Sequence, residues 1–307
     1  MRRWLPVIDS GQYDGPLPDG VQSLRSSAAM LRGVFGFDGL PVMRASAAIA
    51  AELEADPASP YYALARGALG YSLYLSGDAA AAAGPLEEAV QSRAGVPIIA
   101  MFVLSTAALV AVGLGRLDKA EELARGACTL AARSDLGKAP QSAMAYTAMG
   151  AVFAARRRLD EARAELEHAF ERRNVIGLSP WPTLEPTLWL AAVRADLGDR
   201  AGAAELADEA RGLLTLLPDG TEALRARLAE LDRRIAGRSR FVALDEPLTE
   251  REVAVLHLLA GSLSLREIGE ELYVSANTVK THTQAIYRKL GVSSRRDAVE
   301  QGKHLGF

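Results

Sequence analysis

The sequence has one cysteine, Cys128, and four histidines, which limits the chemistry that it can carry. A single cysteine excludes an internal disulfide and indicates a reducing compartment, so we expect the protein in the cytoplasm. The histidines form no H-E-x-x-H or cysteine–histidine zinc pattern, and neither a G-x-S-x-G nor a G-x-x-x-x-G-K-[S/T] sequence is present. We therefore expect no enzyme, no metal and no cofactor.

Long uncharged runs are also scarce, and the longest is residues 94–115. Their length suits a membrane-spanning helix, which would make the protein a membrane-tethered sensor. Their position within a helical repeat favours a buried helix instead, and the residues after Arg2 and Arg3 are too short and too broken for a secretory signal. We therefore predict no membrane partner.

What the sequence does contain, from Val21 to about Leu217, is a repeating pattern rich in alanine and leucine, with few strand signals. Short turn signals recur every 39 to 42 residues, and each is preceded and followed by a segment with helical patterning. These turns end at Asp38, Asp78, Asp118, Asp160 and Asp199. The pattern predicts about five stacked helical hairpins, an α-solenoid.

The sequence Gly-Arg-Leu-Asp-Lys-Ala-Glu-Glu-Leu-Ala-Arg at 115–125 resembles the second helix of a tetratricopeptide repeat (TPR). Before the last hairpin, Ser179-Pro180-Trp181-Pro182 interrupts the helical pattern. Trp181 and Trp189 are candidates for stacking an effector on a concave solenoid surface, and the alternative is that they fill space between repeats. Four residues in 221–236, from Leu224 to Ile235, recur every three or four positions and predict either a solenoid cap or a short coiled-coil contact.

The C-terminal stretch from Leu248 to Leu290 carries three helix starts. Thr249 to Glu252 and Ser264 to Glu267 match the capping-box pattern, and Ser275 is placed to cap a third helix. Two helices joined by so short a turn indicate a helix-turn-helix, whose second helix enters a DNA major groove.

The third helix has two distinct faces at 3.6 residues per turn. One side is predicted to be buried and comprises Val279, Thr283, Ile286 and Leu290. The opposite side carries cations and amides, the groups that bind phosphates and base edges. It comprises Asn277, Lys280, Thr281, Gln284 and Arg288. From Lys280 onward the sequence contains six lysines and arginines but only two acidic residues. Since the whole chain has a formal net charge of −3, the basic surface is local.

Residues 248–307 resemble the DNA-binding domain of LuxR-type transcription regulators through L-T-x-R-E, E-I-x-x-x-L, S-x-N-T-V-K-T-H and I-x-x-K-L-G-V. The resemblance implies base contacts from Lys280 and Gln284, phosphate contacts from Thr278 and Lys289, and dimerisation through the fourth helix. The preceding array is similar to the sensor region of large MalT-like LuxR regulators. Those regulators carry an upstream ATPase, so the chain is expected to be either a fragment or a short regulator.

These observations predict an all-α protein with a TPR-like solenoid at 1–236, a linker at 237–247 and a four-helix LuxR-type domain at 248–307. The expected function is sequence-specific binding of double-stranded DNA as a homodimer, regulated by a small-molecule or protein effector at the solenoid. The alternative is a TPR-like protein-interaction scaffold whose helix-turn-helix reads no DNA.

Overall fold

The computed structural model describes residues 15–92, 95–173, 180–217, 219–241, 248–261, 263–292 and 294–304. Within these ranges the regular secondary structure consists of α-helices and one 3-10 helix, and no strand occurs. The predicted all-α class is therefore confirmed. The chain divides into two units, Met1–Ile235 and Ala236–Phe307, which are described separately.

The first unit is built from five helical hairpins in chain order. They are α1 (Leu24–Phe35) with α2 (Leu40–Leu53), α3 (Tyr62–Leu75) with α4 (Ala79–Gln91), α5 (Pro97–Gly113) with α6 (Leu117–Arg133), α7 (Ala143–Ala155) with α8 (Leu159–Arg172), and α9 (Trp181–Leu197) with α10 (Arg200–Thr215). A short 3-10 helix, Pro140–Ser142, precedes α7, and a final helix, α11, spans Glu222–Phe241. The predicted helical repeat is therefore confirmed.

The turn within each hairpin contains a residue with left-handed backbone conformation. Four of the five positions are glycine, and the fourth hairpin has Arg157 at a φ of 62°. At Gly36, with a φ of 58°, a side chain is also excluded by space, because a Cβ there would collide with the indole of Trp181. The recurring turn signals in the sequence thus mark the conformation that reverses the chain.

Small residues on the first helix of a hairpin allow its partner to approach closely. A Cβ at Gly150 of α7 would lie 2.5 Å from Cγ of Leu166 on α8, and Gly70 of α3 meets Leu86 of α4 in the same way. The leucines fill the space that the glycines leave, and both are fully buried. This pairing explains why the array is rich in small residues.

The last hairpin contacts the first two. The Nε1 of Trp181 donates a hydrogen bond to the Gly36 carbonyl oxygen at 3.3 Å, and Tyr74 on α3 donates to Oε2 of Glu185 on α9 at 3.0 Å. Arg227 on α11 completes this cluster, with Nη1 2.7 Å from Oε1 of Glu185. The first residues of α9 therefore connect the last hairpin with the first two.

This closure corrects one predicted effector residue. Trp181 is 0% exposed and belongs to the main hydrophobic core, so its ring has no face on which an effector can stack. It fills space between repeats, which was the alternative prediction. Trp189 is half-buried and borders a surface pocket between α9 and α11, so its effector role stays a prediction.

Helix α11 caps the array. Leu224, Leu228 and Leu231 are buried in the main core, and Ile235 packs against it, which confirms the cap and leaves this leucine face unavailable for a coiled coil. The helix continues to Phe241, so the first five residues of the predicted linker at 237–247 are helical, and its remainder lies outside the described residues.

Residues Pro97–Gly113 of the uncharged run form α5 within the third hairpin. Most of its second half is buried among its neighbours. Among the described residues, no helix has both the length and the apolar character that crossing a bilayer requires.

The second unit contains four short helices after the end of α11. They are α12 (Glu250–Leu259), α13 (Leu265–Glu271), α14 (Ala276–Leu290) and α15 (Arg295–His304). A separate hydrophobic core joins them, centred on Leu256, Ile268, Val279 and Ile286. A domain of this size depends strongly on its helix caps, which also position the candidate site.

Candidate nucleic-acid interface

Capping side chains define where α12 and α13 begin. In both helices the N-cap hydroxyl accepts from the backbone N–H three residues later, and the carboxylate there accepts from the N-cap N–H. The Thr249 N–H lies 2.7 Å from Oε2 of Glu252, and the Ser264 N–H lies 2.7 Å from Oε2 of Glu267. Both predicted capping boxes are confirmed, and each satisfies two backbone donors that would otherwise be unpaired.

The turn between α13 and α14 is compact because of Gly269. A Cβ at this position would lie 2.7 Å from the Val274 carbonyl oxygen, and the Val274 N–H donates to the Gly269 carbonyl at 2.9 Å. Tyr273, inside the turn, has a φ of 55° and is 96% exposed. Ser275 then caps α14, with its Oγ accepting from the Thr278 N–H at 3.0 Å.

One side of α14 anchors it to the domain. Val279 and Ile286 are 0% exposed, and Thr283 and Leu290 are buried beside them. The hydroxyl of Thr283 donates to the Val279 carbonyl at 2.8 Å, so its polar group is satisfied within the helix. The predicted buried face is confirmed, and it holds the helix in one rotational setting.

The opposite side of α14 is exposed and contains no acidic residue. The exposed side chains are those predicted to face DNA, namely Asn277, Lys280, Thr281, Gln284 and Arg288. Thr278 is half-buried at the first turn, where its hydroxyl lies 2.8 Å from Oγ of Ser275. The structure places these six residues together on or beside one surface, and their contacts with DNA stay predictions.

The structure corrects the prediction for Lys289. Its Nζ lies 2.7 Å from Oε2 of Glu252, and the two side chains are 4% and 6% exposed. An ammonium so enclosed, and paired with a carboxylate, is not available to a phosphate on the helix surface. Lys289 instead ties the C-terminal end of α14 to the start of α12.

Arg295, which was not singled out from the sequence, connects α15 with the end of α12. Its Nε donates to the Leu259 carbonyl at 3.0 Å, Nη2 to the Gly261 carbonyl at 3.0 Å and Nη1 to the Leu263 carbonyl at 2.7 Å. A guanidinium suits this role because its N–H groups diverge in a rigid plane. No sequence pattern marked this contact, since the three acceptors are backbone groups more than 30 residues away.

The geometry agrees with the match to known proteins. Residues 246–301 match the family model described as bacterial regulatory proteins, luxR family. The C-terminal unit is therefore a LuxR-type helix-turn-helix domain. Over 59 residues the chain is 49% identical to the HTH-type transcriptional regulator MalT of Yersinia enterocolitica, and this alignment covers 19% of the chain but 6% of that protein.

Solved structures resemble the chain over longer stretches at lower identity. BtubC from P. vanneervenii aligns with 64% of this chain and 80% of its own, at 20% identity and a TM-score of 0.43. A tetratricopeptide repeat protein from Parabacteroides merdae aligns with 91% of this chain and 99% of its own, at 13% identity and a TM-score of 0.35. The helical-repeat assignment rests on the hairpins described above rather than on these alignments.

Proposed function

We propose that the protein is a sequence-specific regulator of transcription that binds double-stranded DNA in the cytoplasm. The observation that carries the proposal is the two-sided burial of α14, which fixes one face in the core and leaves amides and cations on the other. An α-helix with such a face fits the width of a major groove. The matched family consists of regulatory proteins, so the proposal contains no catalytic step.

Within this proposal, Lys280 and Gln284 contact base edges, since they lie one turn apart on the exposed face. A lysine ammonium suits guanine acceptors, and a glutamine amide suits the paired donor and acceptor of adenine. Asn277, Thr281 and Arg288 flank them toward the sugar–phosphate backbone. Thr278, in the capped first turn of α14, lies where backbone N–H groups favour a phosphate.

We propose that DNA is bound by a homodimer. One helix-turn-helix module covers a small area, roughly 600–1,000 Å² of protein surface, which is little for a tight specific complex. Two copies on two half-sites add their contacts and require symmetric operator halves about one helical turn apart. The dimer is thus the arrangement that gives a short four-helix module enough affinity.

We propose that the helical array receives an effector and changes the affinity of the dimer for DNA. An effector changes this equilibrium only if it binds the active and inactive states with different affinities. The connectivity of the chain supports this coupling, because α11 packs on the array through Leu224 to Leu231 and precedes α12 in the sequence. Effector binding that altered neither DNA affinity nor oligomeric state would contradict this coupling.

The proposal can be tested by selecting bound sequences from a random duplex library with the full chain. Fluorescence anisotropy of the recovered duplex then compares the Lys280→Ala and Gln284→Ala variants with the unmodified protein. Loss of a base contact should cost about 1–3 kcal/mol and relax the preference at one base position. Lys119→Ala is the matched control, because it removes the same charge as Lys280→Ala from an exposed position on α6.

Two results would overturn the proposal. One is the recovery of no preferred sequence, and the other is equal affinity of both α14 variants and the control. Either result would favour the protein-interaction scaffold.

A further inference from the structure

The first unit contains an apolar cavity of about 330 Å³ near the end of α1 and the starts of α3, α5, α7 and α9. Its walls come from α1, α3, α5, α7 and α9, together with the 3-10 helix and the residue that follows α8. Its lining side chains include Phe35, Ile98, Phe102, Met144, Gln141 and Arg173. Volumes of about 300–1,000 Å³ are typical of sites for small molecules.

The beginning of α5 gives this cavity its apolar character. Ile98 is 42% exposed and Phe102 is half-buried, although each is large and hydrophobic. Most large apolar side chains of the array are buried or packed against its core, whereas Ile98 is exposed. A hydrophobic surface that the described residues leave uncovered is stabilised when an apolar molecule displaces water from it.

One polar side chain on the wall has an unused hydrogen-bond donor. Arg173 donates through Nη1 to the Phe170 carbonyl at 2.6 Å and through Nη2 to Oε1 of Glu209 at 2.9 Å. Its Nε is buried and has no acceptor among the described residues. A buried donor without an acceptor costs free energy, and a ligand oxygen that reached it after a small shift of the Arg173 side chain would remove that cost.

We propose that this cavity binds a small apolar molecule that carries one acceptor group, a carboxylate or carbonyl, directed at Arg173. The proposal deepens the proposed function, since it identifies the place and the chemical class of the effector. The apolar body would pack against Ile98 and Phe102, and the oxygen would accept from the Arg173 guanidinium. An uncharged sugar would leave most of its hydroxyls without partners on such walls.

Binding can be measured on the full chain without DNA, so its outcome is independent of DNA recognition. The probe is N-phenyl-1-naphthylamine, whose fluorescence rises in an apolar site. We expect saturable binding of one probe per chain. Ile98→Gln should weaken it about tenfold, because the substitution removes an apolar wall and adds an amide.

Leu216→Gln is the matched control, since Leu216 is also an exposed apolar side chain of this unit, at 72%, and does not line the cavity. It should leave probe affinity unchanged. Absence of saturable binding, or equal weakening by both variants, would overturn the cavity as a binding site.

The acceptor group is tested by displacing the probe with decanoate and with decanol. We expect decanoate to compete at a concentration about five times lower than decanol, and Arg173→Met to abolish this difference while leaving competition by decanol unchanged. Equal competition by the two compounds in the unmodified protein would overturn the assignment of Arg173 and restrict the ligand to purely apolar molecules. DNA affinity measured on the same samples shows whether a bound ligand affects the C-terminal unit.

Discussion

The Nζ of Lys289 and the Oε2 of Glu252 are 2.7 Å apart, and both side chains are almost completely enclosed. The pair joins the end of α14 to the first turn of α12, across 37 residues of sequence. Since the same carboxylate also accepts from the Thr249 N–H, one acidic group serves as a helix cap and as an interhelix contact. The pair therefore contributes to holding α14 against α12.

Lys289→Met should destabilise the C-terminal unit without altering base readout. Removing one partner leaves the Glu252 carboxylate enclosed without its cation, which costs about 3–5 kcal/mol. Peptides from α12 and α14 should therefore exchange hydrogen faster, by the factor that corresponds to this loss of free energy. The exchange is measured on the full chain by mass spectrometry. Lys280→Ala, at an exposed position of the same helix, is the control and should exchange like the unmodified protein.

The pH dependence of this unit should reflect Glu252. Burial alone would raise the pKa of Glu252, but hydrogen bonds from Lys289 and Thr249 outweigh it and hold the pKa below its usual range. A carboxyl whose pKa is lower in the folded state contributes stability above its unfolded pKa of about 4.3. That contribution is lost as the pH falls through the lower folded pKa.

We therefore expect protection of α12 and α14, corrected for intrinsic exchange at each pH, to fall below about pH 4.3. Glu252→Gln should already exchange faster at pH 7 and should respond less to acid. An identical pH profile for the variant and the unmodified protein would assign the acid sensitivity to other carboxyls.

Gly150→Ala should destabilise the helical array although alanine favours helices. A Cβ would meet Cγ of Leu166 at 2.5 Å, and overpacking of this kind costs about 1–3 kcal/mol, more than the gain in helix propensity of about 1 kcal/mol. Urea unfolding followed by tryptophan fluorescence measures the change. Gly212→Ala has open space around its Cβ in α10 and should stabilise instead, by roughly 0.5–1 kcal/mol.

Arg227→Met should loosen the contact between α11 and the array. Glu185 is 0% exposed, and without Arg227 its carboxylate would retain the Tyr74 hydroxyl as its only side-chain donor among the described residues. The expected cost in stability is about 3–5 kcal/mol. Thermal unfolding read by tryptophan fluorescence should show the loss as a lower Tm. Arg233→Met, on the same helix but 74% exposed in a surface pair, should change stability by less than about 1 kcal/mol.

Local signals in the sequence predicted those features that depend on neighbouring residues. The capping boxes at Thr249 and Ser264 and the hairpin turns follow from backbone groups within a few positions. The buried side of α14 was also predictable, because helical periodicity fixes which side chains share a face. For the same reason, the cations and amides of the proposed DNA surface could be named in advance.

Long-range contacts were not predictable in this way. The sequence placed Lys289 beside Arg288 as a second surface cation, and only folding brought Glu252 within 2.7 Å of it. From the sequence, Trp181 was a candidate for stacking an effector. In the structure α9 packs against the first hairpin and encloses its ring. In both cases the deciding partner is distant in sequence, and no periodic pattern records it.

By itself, the sequence determined that the chain is helical, where the hairpins turn and which face of α14 carries the polar groups, since each depends on interactions between residues a few positions apart. Tertiary structure alone decided that the array closes on itself, that Arg295 holds the end of α12 and that the start of α5 lines a cavity. These features arise from burial and hydrogen bonding between distant segments, whose free energies exist only once the helices have packed.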